Sequence, residues 1–250
     1  NFRGKIEFKN VRFSYIPNVE VLKGISFLVR PGETLAIVGP TGSGKTTIIN
    51  LISRFYNINS GNINIDDISI NNFKLNFLRS NIGVILQDVF LFADSIKNNV
   101  TLFDEDISED QVINAAKELG IHQFIMSLPG NYNFNVQERG NTLSSGQKQL
   151  IAFMRVLIKN PDLLILDEAT SSIDSYSEDL IKNATKKITR NKTSIIIAHR
   201  LSTIKSASTI IYMEDGLILE MGSHKELMKI ENGRYLKMHH EQFANIESLN

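Results

Sequence analysis

The segment Gly39-Pro40-Thr41-Gly42-Ser43-Gly44-Lys45-Thr46 gathers glycines, a lysine and hydroxyls into one short loop. Glycines let a backbone turn its N–H groups inward, and such groups at a helix start cradle phosphate oxygens. Lys45 adds a point charge for the β- and γ-phosphates of a nucleoside triphosphate, Thr46 offers a hydroxyl to Mg²⁺, and Thr47 follows on the helix. Glycines alone describe an ordinary turn. The full spacing between a strand and a helix makes this a phosphate loop.

Two acids, Asp167 and Glu168, close the apolar run Leu163-Leu164-Ile165-Leu166. A buried strand delivers its terminal carboxylate rigidly. Magnesium keeps several waters and takes few protein ligands, so Asp167 is expected to reach it through water. Glu168 is placed to polarise the attacking water as general base, a contribution of roughly 10²–10⁴ in rate. Taken alone, the pair reads equally well as a solvated strand end. A second short run, Ser194–Ala198, leads into His199. A neutral imidazole there could bridge the γ-phosphate, the water and Glu168. Gln87 and Asp88 follow the run Ile82–Leu86, and the Gln87 amide suits a withdrawable sensor of Mg²⁺ or its water.

These groups need elements to hold them. Leu35-Ala36-Ile37-Val38 is a continuous apolar run, as in a strand buried on both faces. It feeds the loop, and Lys45 to Phe55 carries helical spacing at Ile48, Ile49, Ile52 and Phe55. Upstream, Ile6, Phe8, Val11, Phe13 and Tyr15 predict a strand broken near Asn10, and Val21 to Val29 predicts another. Ile63–Ile70 and Ile82–Gln87 are further strand candidates. From Ser95 to Lys159 the pattern is helical: Ser108 and Gln111 have capping-box spacing, and Ser144 opens a helix that ends before Asn160-Pro161. After Leu163 the alternation resumes: strand Leu163–Leu166, helix Tyr176–Thr189, strand Ser194–Ala198, then strands near Ile210 and Leu217. A mostly helical insert therefore interrupts an α/β core.

Composition narrows the class. The 250 residues make one large domain or two small ones, and 42% hydrophobic content supports a sizeable core. Lys+Arg and Asp+Glu are both 27, which argues against a broad nucleic-acid-binding face. The chain has no cysteine, so thiol catalysis, disulfides and cysteine-rich zinc sites are excluded. No run approaches the ~18 apolar residues of a membrane span. The opening Asn1–Phe8 lacks an initiator Met and enters a strand directly, which is expected of a domain cut from a longer chain.

The order of the loop, Leu143-Ser144-Ser145-Gly146-Gln147 and Asp167-Glu168 resembles the nucleotide-binding domain of an ABC (ATP-binding cassette) transporter over nearly the whole chain. Glu138-Arg139-Gly140, Ala198-His199-Arg200-Leu201-Ser202-Thr203 and the ending Asp215–His224 resemble the exporter branch. The resemblance implies a phosphate-loop α/β core with a mixed sheet, an N-terminal antiparallel β subdomain and a mostly helical subdomain at about 95–159. Residues 1–94 and 160–250 would form the core of this single domain, with the transmembrane domain absent. It implies ATP and Mg²⁺ as cofactors, Tyr15 as the adenine-stacking ring, and His199 as the switch histidine. Lys45, Gln87, Glu168 and His199 become the catalytic set, with Thr46, Gln87 and Asp167 toward the metal.

The family also works in pairs. Two such domains dimerise head to tail, and Leu143–Gln147 of one would cap ATP held by the other, identical or paralogous. Ser144 could equally be a plain N-cap. Asp174 matches the loop that communicates between sites, although it could cap the next helix. Glu138-Arg139-Gly140 resembles the loop touching transmembrane coupling helices, and Phe90, Leu91 and Phe92 a groove receiving them; a charged turn and simple core are the alternatives. This implies the cytoplasmic face of a membrane, the cell membrane in a bacterium, and no nucleic acid partner.

Ser145 departs from the family, which usually has glycine there. Its Cβ and hydroxyl are tolerated if φ is ordinary, or else impair closure onto the partner's ATP; the expectation is a fully functional ATP on this chain's own loop and a less effective signature for the partner. Chromosome-maintenance and DNA-repair ATPases share the signature but insert long coiled coils, and Thr47–Thr142 is too short and lacks heptads for that. A cassette that binds ATP without turnover is disfavoured by intact Glu168 and His199.

Overall fold

A computed structural model describes residues 2–167 and 175–247. In chain order the elements are β1 (Ile6–Phe13), β2 (Leu22–Val29), β3 (Thr34–Val38), α1 (Lys45–Ile52), β4 (Ser60–Ile65), β5 (Ile68–Ser69), α2 (Leu75–Ser80) and β6 (Ile82–Ile85). The helices α3 (Ile96–Thr101), α4 (Glu109–Leu119), α5 (His122–Met126) and α6 (Ser145–Lys159) follow. Then come β7 (Leu163–Asp167), α7 (Ser175–Thr189), β8 (Thr193–Ile197), α8 (Leu201–Ser206), β9 (Thr209–Glu214), β10 (Leu217–Gly222), α9 (His224–Leu227) and α10 (Arg234–Glu247).

The chain divides into two compact units: residues 1–82, 162–168 and 191–250, and residues 83–161 and 169–190. In the first unit, an antiparallel sheet has the order β2-β1-β4-β5. Ile6, Phe8, Val11 and Phe13 of β1 are buried, and a bulge with Asn10 at φ 47° keeps them on one face. Phe8 stacks on Phe27 with ring centroids 4.4 Å apart. The predicted strand Ile63–Ile70 is instead two strands. Asp66 and Asp67 both adopt positive φ, 50° and 67°, and turn the chain back tightly between β4 and β5.

The larger sheet has the order β10-β9-β3-β8-β7-β6, and the unit boundary falls within β6. Its centre is parallel: β3 pairs with β8 and β9, and β8 with β7. Every residue of β7 and β8 is buried, which explains their unbroken apolar sequences. Ile197 lies opposite both Ile37 and Asp167, so β3, β8 and β7 end level with one another. Gly39, His199 and Asp167 therefore leave the sheet along its carboxyl edge, where open α/β sheets place ligands.

Several predicted boundaries move; β6, for one, ends at Ile85, two residues short of Gln87. Helix α1 stops at Ile52 rather than Phe55 because Ser53 caps it and Arg54 adopts φ 49°. Strand β1 ends at Phe13, so Tyr15 lies beyond it, just before a turn closed by the Val19 N–H donating to the Ile16 carbonyl. Pro17, which has no N–H, and Asn18 at φ 66° force that turn.

The second unit is helical. Serine–glutamine capping boxes start α4 (Ser108, Gln111), as its spacing predicts, and α6 (Ser144, Gln147), where Ser144 alone is predicted to open the helix. Fully buried Asn99 of α3 accepts from the Phe92 N–H at 2.8 Å, and Arg155 of α6 donates to the carbonyls of Asn99 and Phe90. This polar knot fixes the segment after Gln87. Among the described residues no helix is long and apolar enough to cross a membrane.

Candidate nucleotide site

Strand β3 carries the chain into the loop at Gly39, φ 141°, where a Cβ would collide with the Met213 carbonyl of β9. Only glycine permits that approach. Gly42, φ 83°, faces open space instead. Gly44 is the N-cap of α1 and supplies no side-chain acceptor. The first-turn N–H groups are thus left for an anion, with the helix dipole behind them. The Ser43 hydroxyl oxygen is buried with no hydrogen-bond partner, a further polar group that a phosphate would satisfy.

Lys45 is only 8% exposed, and its ammonium donates to the carbonyl oxygens of Gly39 and Pro40, both at 2.8 Å. Burial lowers its pKa, and the charge of Asp167 acts the other way. Asp167 ends β7 almost fully buried. His199 keeps an accessible ring at a crowded strand end. Lost hydration first, then the charge of Lys45, hold its pKa below the ordinary imidazole value. The neutral imidazole is therefore favoured.

Thr46 presents an exposed hydroxyl in the first turn of α1. Among the described residues no group of three or more His, Asp or Glu could hold a metal alone. Thr46 and Asp167 are oxygen donors, a sparse set suited to Mg²⁺ that draws its other ligands from phosphate and water.

Tyr15 stands beside this loop: its hydroxyl donates to Thr47 Oγ1 at 3.2 Å and accepts from Asn50 Nδ2 at 3.1 Å. Neither Asn50 nor its aromatic neighbour Tyr56 was expected to matter. The available signal was the placement of Asn50 three residues after Thr47, on one helix face.

In the second unit, Gln87 and Asp88 are exposed and line a cavity of about 440 Å³ with Val89, Phe90, Arg139, Ser145 and Lys148. Glu138-Arg139-Gly140 forms a single 3₁₀ turn, with Arg139 at φ 51°. Leu143 is buried, and Ser144 caps α6: its hydroxyl accepts from the Gln147 N–H at 3.2 Å, and Gln147 Oε1 accepts from the Ser144 N–H at 2.9 Å. Ser145 is the first residue of α6, and neither it nor Gly146 has positive φ. The backbone at Ser145 is thus of the ordinary kind that tolerates a serine. Glu168 and Asp174 lie outside the described residues.

A strand, glycine loop and helix at the carboxyl edge of a parallel sheet define a phosphate-loop nucleotide-binding domain. Comparison with known proteins places it further. The ABC transporter family matches residues 22–171. An ATP-dependent lipid A-core flippase of Saccharophagus degradans is 43% identical over 97% of this chain and 41% of its own length. A fatty acid ABC transporter ATP-binding/permease protein of Mycobacterium tuberculosis is 43% identical over 95% of this chain and 38% of its own. A solved structure of a bacterial Atm1-family ABC exporter with ATP bound superposes with a TM-score of 0.89 at 41% identity, covering 96% of this chain and 42% of that one. The chain belongs to the ABC transporter family and is similar throughout to its ATP-binding domain. It spans about two fifths of the length of these relatives.

Proposed function

We propose that this chain is the ATP-hydrolysing motor domain of an ABC exporter. One observation carries the reading: Lys45, inside a helix start with no side-chain cap, shares its electrostatic surroundings with Asp167 and His199 at the ends of parallel strands. Residues Gly39 to Thr47 hold the phosphates, and Tyr15 stacks on the adenine. Mg²⁺, when bound through Thr46 and water on Asp167, would supply charge neutralisation at the β- and γ-phosphates. Glu168 takes the proton of the attacking water, and neutral His199 orients that water against the γ-phosphate. Gln87 is assigned the sensor role from the resemblance alone.

Residues 1–94 and 160–250 are read as the core of one nucleotide-binding domain, and about 95–159 as its helical subdomain. Leu143 to Gln147 address ATP on a second such domain, identical or paralogous, and Asp174 communicates between the two. Glu138-Arg139-Gly140 and the Phe90–Phe92 segment receive coupling helices of a transmembrane domain, which sets the site at the cytoplasmic face of a membrane. Hydrolysis reopens the dimer that ATP closes, and this drives export. Glu168→Gln tests the assignment: ATP binding should persist and a closed dimer accumulate, while hydrolysis falls by roughly 10²–10⁴. Rapid turnover by that variant would remove Glu168 as the base.

A further inference from the structure

We infer that Asn50 and Tyr56 are positioning residues that hold the Tyr15 ring as a preset platform for the nucleoside base. The inference rests on the nucleotide-binding reading above. The Asn50 amide donates to the Tyr15 hydroxyl at 3.1 Å, and that hydroxyl donates to Thr47 Oγ1 at 3.2 Å. The phenol proton and one oxygen lone pair are thereby committed. Such a chain of bonds strengthens itself, since each donor polarises the next. Thr47 sits in the first turn of α1, two residues after Lys45, so the relay fixes the ring relative to the phosphate loop.

The ring is also held from its sides. Phe13 and Tyr56 meet it nearly at right angles, at 87° and 88°, with centroids 4.7 and 4.9 Å away. No described ring stacks parallel on Tyr15, and 44% of the residue stays exposed. Tyr56 is itself 47% exposed. A large aromatic left half in water fills no core, yet it buttresses a ring beside the site. Fixing that ring in advance reduces the rotamer entropy lost when a base stacks. Because its hydroxyl is tied to Thr47 and Asn50, the ring offers a base its π surface and no edge-reading group. Adenine and guanine should therefore gain equally from it.

The test measures kcat and KM for MgATP and MgGTP, and inhibition by inorganic tripolyphosphate, which has no base, on the intact protein carrying this chain. Asn50→Ala and Tyr56→Ala should raise both KM values about three- to tenfold with kcat within about twofold, a fraction of what a base–aromatic stack contributes. Tripolyphosphate inhibition should not move, and Tyr56→Phe should restore wild-type KM. Unchanged KM, parallel weakening of tripolyphosphate, divergence between ATP and GTP, or failure of Tyr56→Phe to rescue would overturn the inference. Nucleotide affinity that survives Lys45→Ala in otherwise unaltered protein would instead overturn the nucleotide-site reading, and this inference with it.

Discussion

Two helix starts carry the motifs proposed to face phosphate, and they are built differently. Helix α1 follows Gly44 with no side-chain cap, its first residue is the buried Lys45, and the loop before it holds the unsatisfied Ser43 hydroxyl. Helix α6 begins at Ser144 and is closed by its own capping box with Gln147. A capped start has already satisfied two of its orphan N–H groups, whereas a bare one keeps them for a ligand. The first keeps the unsatisfied donors that an anion would need. The second is a stable helix end whose serine still has a hydroxyl proton to donate. That division suits a loop that holds ATP and a signature that only touches ATP held by another chain.

The largest effect expected of breaking this contrast lies in the loop. Gly39→Ala drives a Cβ into the Met213 carbonyl, so it should abolish ATP binding and lower unfolding stability by about 2 kcal/mol or more. Gly42→Ala meets open space and should cost only the strain of positive φ, about 1 kcal/mol. Denaturant unfolding and equilibrium ATP binding, measured side by side, would show whether the two glycines differ in this way.

A smaller effect is expected from pH. The depressed pKa of His199 keeps its imidazole neutral below the ordinary value of about 6.5. The acid limb of kcat/KM should therefore fall below pH 6.5 and vanish in His199→Ala. The unfolded chain takes up this proton first, so the histidine contributes a loss of stability as pH falls through 6.5 toward its native pKa, and no further loss below that. A limb that survives His199→Ala would assign it to another group.

The smallest effect concerns Ser145. Its backbone is not left-handed, so glycine relieves no strain there. Ser145→Gly should lower stability by up to about 1 kcal/mol and raise ATPase turnover only modestly. An unchanged rate would mean that the serine costs the signature nothing.

Much of this contrast was legible in the sequence, because it rests on local rules. Apolar runs announced β3 and β7, glycine spacing announced the loop, and Ser144 with Gln147 has capping-box spacing. What escaped depends on backbone turns and distant partners. Two consecutive aspartates at positive φ split one expected strand into β4 and β5. Helices α8 and α9 are too short for periodicity, although Ser223 and Glu226 carry the capping signal of α9. The bond from Tyr15 to Thr47 joins residues 32 apart, and no local pattern encodes it.

The bare start of α1 should bind ATP within one chain, and the capped start of α6 should not. The direct measurement is MgATP affinity at a dilution that keeps the chain monomeric, for Lys45→Ala and Ser144→Asp. Aspartate caps a helix as well as serine but sets a negative charge where a phosphate would approach. Lys45→Ala should weaken binding about 100-fold or more, as expected for loss of a desolvated charge contact. Ser144→Asp should leave the monomer's affinity unchanged while abolishing ATP-driven dimerisation. Equal loss of monomer affinity in both variants would contradict the account.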